Sequence, residues 1–241
     1  MKALQTGPIA VNSWIVPLNE RDVFIVDPAG RSVTGDETAI QDYLKQKSLN
    51  PVAVVLTHGH FDHVIGLPSI KKSFPDIKIA IHKADAECIG ANSAKIQGLL
   101  LEGLAGSSLL PYVSNLPEAD CIFEDGQTFD SFFSKDYCIK MCSDELRGSQ
   151  VFETFANWAV IHTPGHTKGS CCFYNAQEKI LISGDTVFFR SYGRTDLYGG
   201  SQAEIIKSIE KIKKITAEET LVFPGHDYAG FNLSWLDRLD I

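Results

Sequence analysis

Within "VVLTHGHFDHVIGL", residues 54–67, the side chains of His58, His60, Asp62 and His63 crowd into six positions between a β-branched apolar run and a segment of helical character. Imidazole nitrogens and a carboxylate are the donors that hold zinc, iron or manganese. Alternate residues of an extended chain point the same way, so His58 and His60 can grip one ion. Asp62 and His63, past the bend toward the helix, reach a second place. The motif is read as built for two adjacent metals.

Further donors stand at strand ends. His166 in "HTPGHT", Asp185 in "SGDT" and His226 in "FPGHD" each follow an apolar strand, where glycine lets the backbone bend sharply and the polar side chain face a cleft. Together with the motif they make seven candidate ligands. A carboxylate has two oxygens, so Asp185 can bridge two cations. His82 and His162 fall outside this recurrence and are read as structural.

The elements that must position these donors alternate β and α. "SWIVPL", "DVFIVDPAG", "VAVVLT" and "DIKIAIH" read as strands, the third apolar on both faces and therefore central. "TGDETAIQDYLKQKSL", "LPSIKKSF" and most of "KADAECIGANSAKIQGLLLEGLAG" read as helices. The second half repeats the logic with "NWAVIHTPGHTKGSCCFYN", "KILISGDTVF", the helix "SQAEIIKSIEKIKKI" and "TLVFPGHD". Each strand runs into a turn bearing histidine or aspartate, which gathers those turns along one edge of the sheets. The segment 131–153 fits neither pattern and is expected to be an insertion or flap.

With 241 residues, 44% of them hydrophobic, the chain is expected to form one domain over 1–241 whose core needs no metal to hold it compact. A metal here would serve chemistry. The net charge of −8, with no basic block beyond Lys211, Lys213 and Lys214, argues against nucleic acid as a partner. The opening residues lack the apolar run of a signal peptide, and no segment approaches the ~20 apolar residues of a membrane span, so a cytoplasmic protein is expected. Six cysteines without a C-x-x-C spacing read as reduced thiols.

"THGHFDH", "HTPGHT", "SGDT" and "PGHD", in this order, resemble the metallo-β-lactamase superfamily. The resemblance implies an α/β fold, an αββα sandwich with the metal site at one edge of the two sheets. It assigns His58, His60 and His166 to a first metal and Asp62, His63 and His226 to a second, with Asp185 bridging. "GRTDLYGG" and "GHDYAGFNLSW" are similar to glyoxalase II, and the stop at "SWLDRLDI", soon after His226, suits its short bacterial-type branch.

That likeness implies two divalent ions, zinc foremost, with iron or manganese also accepted. It also implies a small-molecule substrate, a thioester such as a hydroxyacylglutathione, attacked by metal-bound hydroxide with Asp62 orienting the water and handling its proton. By the same likeness Arg194 and Tyr228 lie near the thiol-bearing part of the substrate, the alternative for Arg194 being a salt bridge with Asp196. The same loops also resemble persulfide dioxygenases, in which a single iron would sit on His58, His166 and Asp185. A lactonase is the third reading.

Overall fold

The computed structural model describes residues 1–102, 104 and 106–238. Apolar runs in the first half assemble into a sheet of β1 (Lys2–Thr6), β2 (Val11–Pro17), β3 (Asp22–Val26), β4 (Asn50–Val55), β5 (Lys78–His82) and β6 (Cys121–Phe123), paired in that order. The first two pairings are antiparallel, and β3 to β6 run parallel. Parallel strands need crossovers that cover the sheet, which is why β4 is buried on both faces. Leu44, Ile65, Leu67, Ile70 and Leu101 from the covering helices meet Ile25, Val54, Leu56 and Ile79 on the outer face.

The second sheet contains β7 (Trp158–His162), β8 (Cys171–Asn175) and β9 (Ile180–Gly184). A small hairpin, β10 (Val187–Phe188) and β11 (Ser191–Tyr192), follows, and then β12 (Leu221–Pro224) and β13 (Phe231–Asn232) complete the sheet in the order β13-β12-β9-β8-β7. Its outer face carries the helix Gln202–Ile215. Ser201 caps that helix by accepting from the Glu204 N–H, the serine and glutamate standing three residues apart as a capping box requires. Ile205, Ile209 and Ile212 recur at helical spacing, are fully buried, and meet Leu181 and Val222. Each such side chain contributes about 1.5–3 kcal/mol by leaving water.

The two sheets face one another across a core of Phe24, Val55, Phe123, Phe129, Trp158 and Phe173. Helices outside, sheets inside: the αββα sandwich expected from the sequence is the observed architecture. Bonds between the layers concentrate at one end. The Asn12 N–H donates to the Gly225 carbonyl at 2.7 Å, Trp14 Nε1 to the Pro224 carbonyl at 3.1 Å, and the Cys171 N–H to the Thr57 carbonyl at 2.8 Å. All six cysteines are buried and unpaired.

The segment 131–153 is not a flap. It holds the helix Lys135–Cys142 and most of the helix Glu145–Phe155, and Phe133, Tyr137, Cys138, Cys142 and Val151 from it are buried in the inter-sheet core. The Tyr137 hydroxyl donates to the Val52 carbonyl at 2.6 Å and accepts from the Lys78 N–H at 2.8 Å. Val52 and Lys78 stand at the N-terminal ends of β4 and β5, so this helix pair plugs the end of the sandwich away from His58. Its mixed polarity hid that role because each helix buries only one stripe. The expected long helix over "KADAECIGANSAKIQGLLLEGLAG" is observed as two 3₁₀ turns and the helix Ser93–Glu102, while residues 103 and 105 lie outside the described ones.

Candidate metal centre

The C-terminal ends of β3, β4, β9 and β12, with the loop after β7, meet at one edge and deliver Asp27, His58, Asp185, His226 and His166. His60 leads into the short helix Phe61–Val64, which carries Asp62 and His63. All seven sequence-predicted ligands converge. Gly225 shows how tight the gathering is: a Cβ there would stand 2.3 Å from Asp185 Oδ1 and 2.7 Å from His63 Cε1. Any side chain at this position would displace a donor.

Among the described residues three trios have donor atoms within 4.8 Å of one another: His58 with His60 and His166, Asp62 with His63 and His226, and, behind the rings, Asp27 with His58 and His63. In the first, ring centroids lie 4.4–4.8 Å apart. In the second, His63 Nε2 is 3.2 Å from His226 Nε2, and Asp62 Oδ2 is 3.3 Å from both nitrogens. Asp185 stands between the first two trios. Its Oδ1 is 3.4 Å from His63 Nε2, while its Oδ2 is 3.5 Å from both His166 Nε2 and His226 Nε2.

Hydrogen bonds on the far side of the rings fix which nitrogen carries the proton. His63 Nδ1 donates to Asp27 Oδ2 at 2.9 Å and His166 Nδ1 to the Arg194 carbonyl at 2.8 Å. The Thr57 hydroxyl donates to Asp27 Oδ2 at 2.6 Å, so it accepts from His58 Nδ1 at 3.0 Å. In all three rings the Nε2 lone pair therefore aims inward. Such outer partners orient metal-ligating imidazoles and raise their basicity.

The inner atoms of the first trio are unsatisfied. His58 Nε2, His60 Nε2 and His166 Nε2 are buried with no hydrogen-bond partner, as is Asp185 Oδ1 beside the second trio. Burying an unpartnered polar group costs about 1–3 kcal/mol. Several such acceptors aimed at one point are explained by a cation that they hold in common, and this donor set fits a divalent metal.

Electrostatics separates the trios. Burial and the neighbouring His166 push His60 down to about 3, and burial with His63 holds His58 well below 6.5, so both are neutral at pH 7 and offer lone pairs. In the second trio burial opposes charge, but the carboxylates of Asp62, Asp185 and Asp27 outweigh it and raise His63 well above 6.5. Burial pushes Asp185 up as well, yet the imidazoles, His63 foremost, hold it well below the usual carboxylate range. Positive charge is favoured at this end, and a divalent ion supplies it while leaving the imidazoles their lone pairs.

Asp27 and Asp85 are the residues that the sequence reading missed. Asp27 takes a left-handed φ of +50°, an unusual conformation for a non-glycine residue, and receives the Thr57 N–H, the Thr57 hydroxyl and His63. It stands at a strand end in "VDPAG", the same placement as the ligands, so the signal was present. Asp85 accepts from the N–H groups of Gly59 and Gly169 and from the Thr167 hydroxyl, tying the His58–His60 loop to the His166 loop. It lies far in sequence from both loops and carried no signal.

The expected substrate residues fare differently. The Arg194 guanidinium forms a two-pronged pair with Asp196, at 2.7 and 2.9 Å, on the exposed rim, and its carbonyl orients His166. Tyr228 is 62% exposed and stands edge-on to Phe189, two residues past His226. Of the two histidines read as structural, His82 and His162 stack face to face at 4.1 Å outside the centre.

Residues 6–226 match the family model of the metallo-beta-lactamase superfamily. The chain is 30% identical over 226 residues to a protein of Bacillus subtilis (strain 168) named "Probable metallo-hydrolase YqgX", covering 93% of this chain and 89% of that one. It is 28% identical over 222 residues to the hydroxyacylglutathione hydrolase of Hamiltonella defensa, covering 92% of this chain and 64% of that one. Among solved structures, the BLEG-1 B3 metallo-beta-lactamase superposes with a TM-score of 0.71 at 26% identity, over 97% of this chain and 94% of that one. The chain belongs to the metallo-β-lactamase superfamily. Fold, family and His/Asp cluster together define a metal-dependent hydrolase of that superfamily.

Proposed function

We propose that this protein hydrolyses a thioester of a peptide-like thiol, with a hydroxyacylglutathione as the reference substrate, and that two zinc ions occupy the two trios. Bound there, divalent ions supply Lewis acidity and water that ionises near neutral pH. One observation carries the choice of a thiol carrier. Beside His226 a depression of about 620 Å³ is lined by Phe189, Tyr228, Phe231 and Trp235, and the Arg190 guanidinium lies 5.0 Å from the ring centres of both Phe189 and Trp235. Phe188 links this ledge to the centre, with its ring 6.2 Å from that of His226. Aromatic faces, a phenol and a guanidinium suit a flexible carrier with peptide groups and a carboxylate. Similarity to the hydroxyacylglutathione hydrolase supports the same reading.

In this reading each residue has a task. Asp62 is buried, and the imidazoles of His63 and His226 overcome the effect of burial to lower its pKa, so it is ionised at neutral pH and accepts the proton of the attacking water. That proton then passes to the departing thiolate. Arg190 and Tyr228 bind the carrier. Arg194, whose head is engaged by Asp196, positions His166 through its carbonyl instead of binding substrate.

The test is elemental analysis of protein purified without added metal, then turnover of an S-acylglutathione beside O₂ uptake with glutathione persulfide. Two ions per chain, thioester hydrolysis and a loss of about 10²–10⁴ in turnover for a folded, metal-loaded Asp62→Asn are expected. O₂ uptake with one iron assigns the protein to the persulfide dioxygenases. Turnover confined to lactones makes it a lactonase.

A further inference from the structure

Away from the ledge, a second cavity of about 100 Å³, which shares no lining residue with it, has His60 as part of its wall. Cys88, Ile96 and Leu100 line it, and all three are buried. They form an apolar cluster separate from the main cores, with Leu197 packed against it. The buried polar side chains in the wall other than His60 are spoken for. Asp85 receives Gly59, Gly169 and Thr167, and Thr167 shares its hydroxyl with Asp85 and Ser170. Charged groups, Lys168 and Glu87, stand at the exposed mouth beside Tyr198. Apart from His60, which is assigned to the metal, the buried wall offers a guest no uncommitted polar group, which penalises a polar guest and accepts an apolar one.

We propose that this cavity is the acyl chamber of the enzyme, selecting a short, straight aliphatic acyl group while the thiol carrier crosses the ledge beside His226. The inference rests on the thioester reading and adds to it the direction in which substrate lies and the class of its acyl group. Size sets the length. A cavity of about 150 Å³ holds about six carbons, so this one takes about four. Position sets the direction, because the cavity that His60 lines is narrow, while the depression at Phe189 and Tyr228 is wide enough for a carrier with peptide groups.

Two substitutions test the chamber. Ala84 lines the cavity from an exposed turn, so Ala84→Leu narrows it without cutting into the core. Leu100→Ala deepens it, with thermal melting to verify the fold. Each is compared with the wild type on straight-chain S-acylglutathiones from acetyl to octanoyl, and by calorimetric binding of the matching free carboxylates to the metal-loaded protein. For the wild type, kcat/KM should peak near butanoyl and fall about tenfold or more by octanoyl. Ala84→Leu should move the optimum toward acetyl and Leu100→Ala toward longer chains, in turnover and in carboxylate affinity alike. If acylglutathiones are left intact while carboxylate affinity keeps this optimum and both shifts, the chamber stands and the thioester reading falls. A length profile that neither substitution moves, in either measurement, overturns the chamber.

Discussion

The flanks of the metal centre differ in enclosure, and the two trios differ in the same sense. On the His60 flank the trio His58, His60 and His166 is almost wholly buried, the rings of His58 and His60 are neutral, and a cavity of about 100 Å³ has His60 in its wall. On the His226 flank one ligand side chain is 17% exposed, carboxylates dominate, and the neighbouring depression measures about 620 Å³. The difference arises from what stands behind each ligand. Asp85 clamps the buried loops from within, whereas His226 sits on a turn next to Asp227, itself at a left-handed φ of +60°. In the proposed reading the narrow side holds an ion and a small group, and the open side admits a large one.

Removing the residue common to both flanks should have the largest effect. Asp185→Ala deletes a side chain that directs one oxygen at each trio, so metal content should fall well below two ions per chain and turnover by at least about 10³. His226→Ala should instead lower the content to about one, with the buried trio still loaded. Elemental analysis after dialysis against the same metal buffer reads both. Equal losses from the two variants would show that the trios fill as a unit, and the contrast between flanks would then have no bearing on metal binding.

A smaller effect is expected from the ledge. Arg190→Ala removes a cation remote from the reacting carbonyl, so its contribution is similar in ground and transition states. KM for an S-acylglutathione should rise about tenfold with kcat little changed, and the preferred acyl length should stay as in the wild type. Steady-state kinetics over the acyl series measures this. A change in acyl-length preference would mean that the two flanks do not divide the substrate between carrier and acyl group.

The smallest effect concerns pH at the outer edge of the narrow flank. Burial, and then the stacked His162, push His82 down to about 4 from 6.5. His162 in turn bonds the Lys168 carbonyl at 2.8 Å, at the mouth of the narrow cavity. Because the folded state resists protonating His82, the unfolded chain binds more protons between these values. The stabilisation is present above about 6.5 and is lost as pH falls toward about 4. His82→Phe keeps an aromatic face and removes the titration. The urea midpoint of the wild type relative to this variant should therefore drop between pH 7.5 and pH 5, and a difference independent of pH would exclude His82 as the source.

Much of this was legible without coordinates. Donor types at fixed offsets in "THGHFDH", and glycine-bearing turns after apolar runs, locate the seven candidate ligands because backbone periodicity and turn chemistry are local properties. The same local rules marked β2, β3, β4, β5 and the helix Gln202–Ile215. They failed for 131–153, where each helix shows one narrow apolar stripe and the burial that defines its role comes from Val52, Phe24 and Trp158, remote in sequence.

By itself, then, the sequence determined the fold family, the candidate ligands and the alternation of strand and helix, since all are written in residue type and spacing. Tertiary structure alone decided the protonated nitrogen of His58, His63 and His166, the engagement of Arg194 by Asp196, the clamps of Asp27 and Asp85, and the contrast between a narrow and a wide flank. Those depend on which distant atoms arrive within about 3 Å of one another. A hydrogen bond or a cavity wall is set by that arrival, and neither has a signature along the chain.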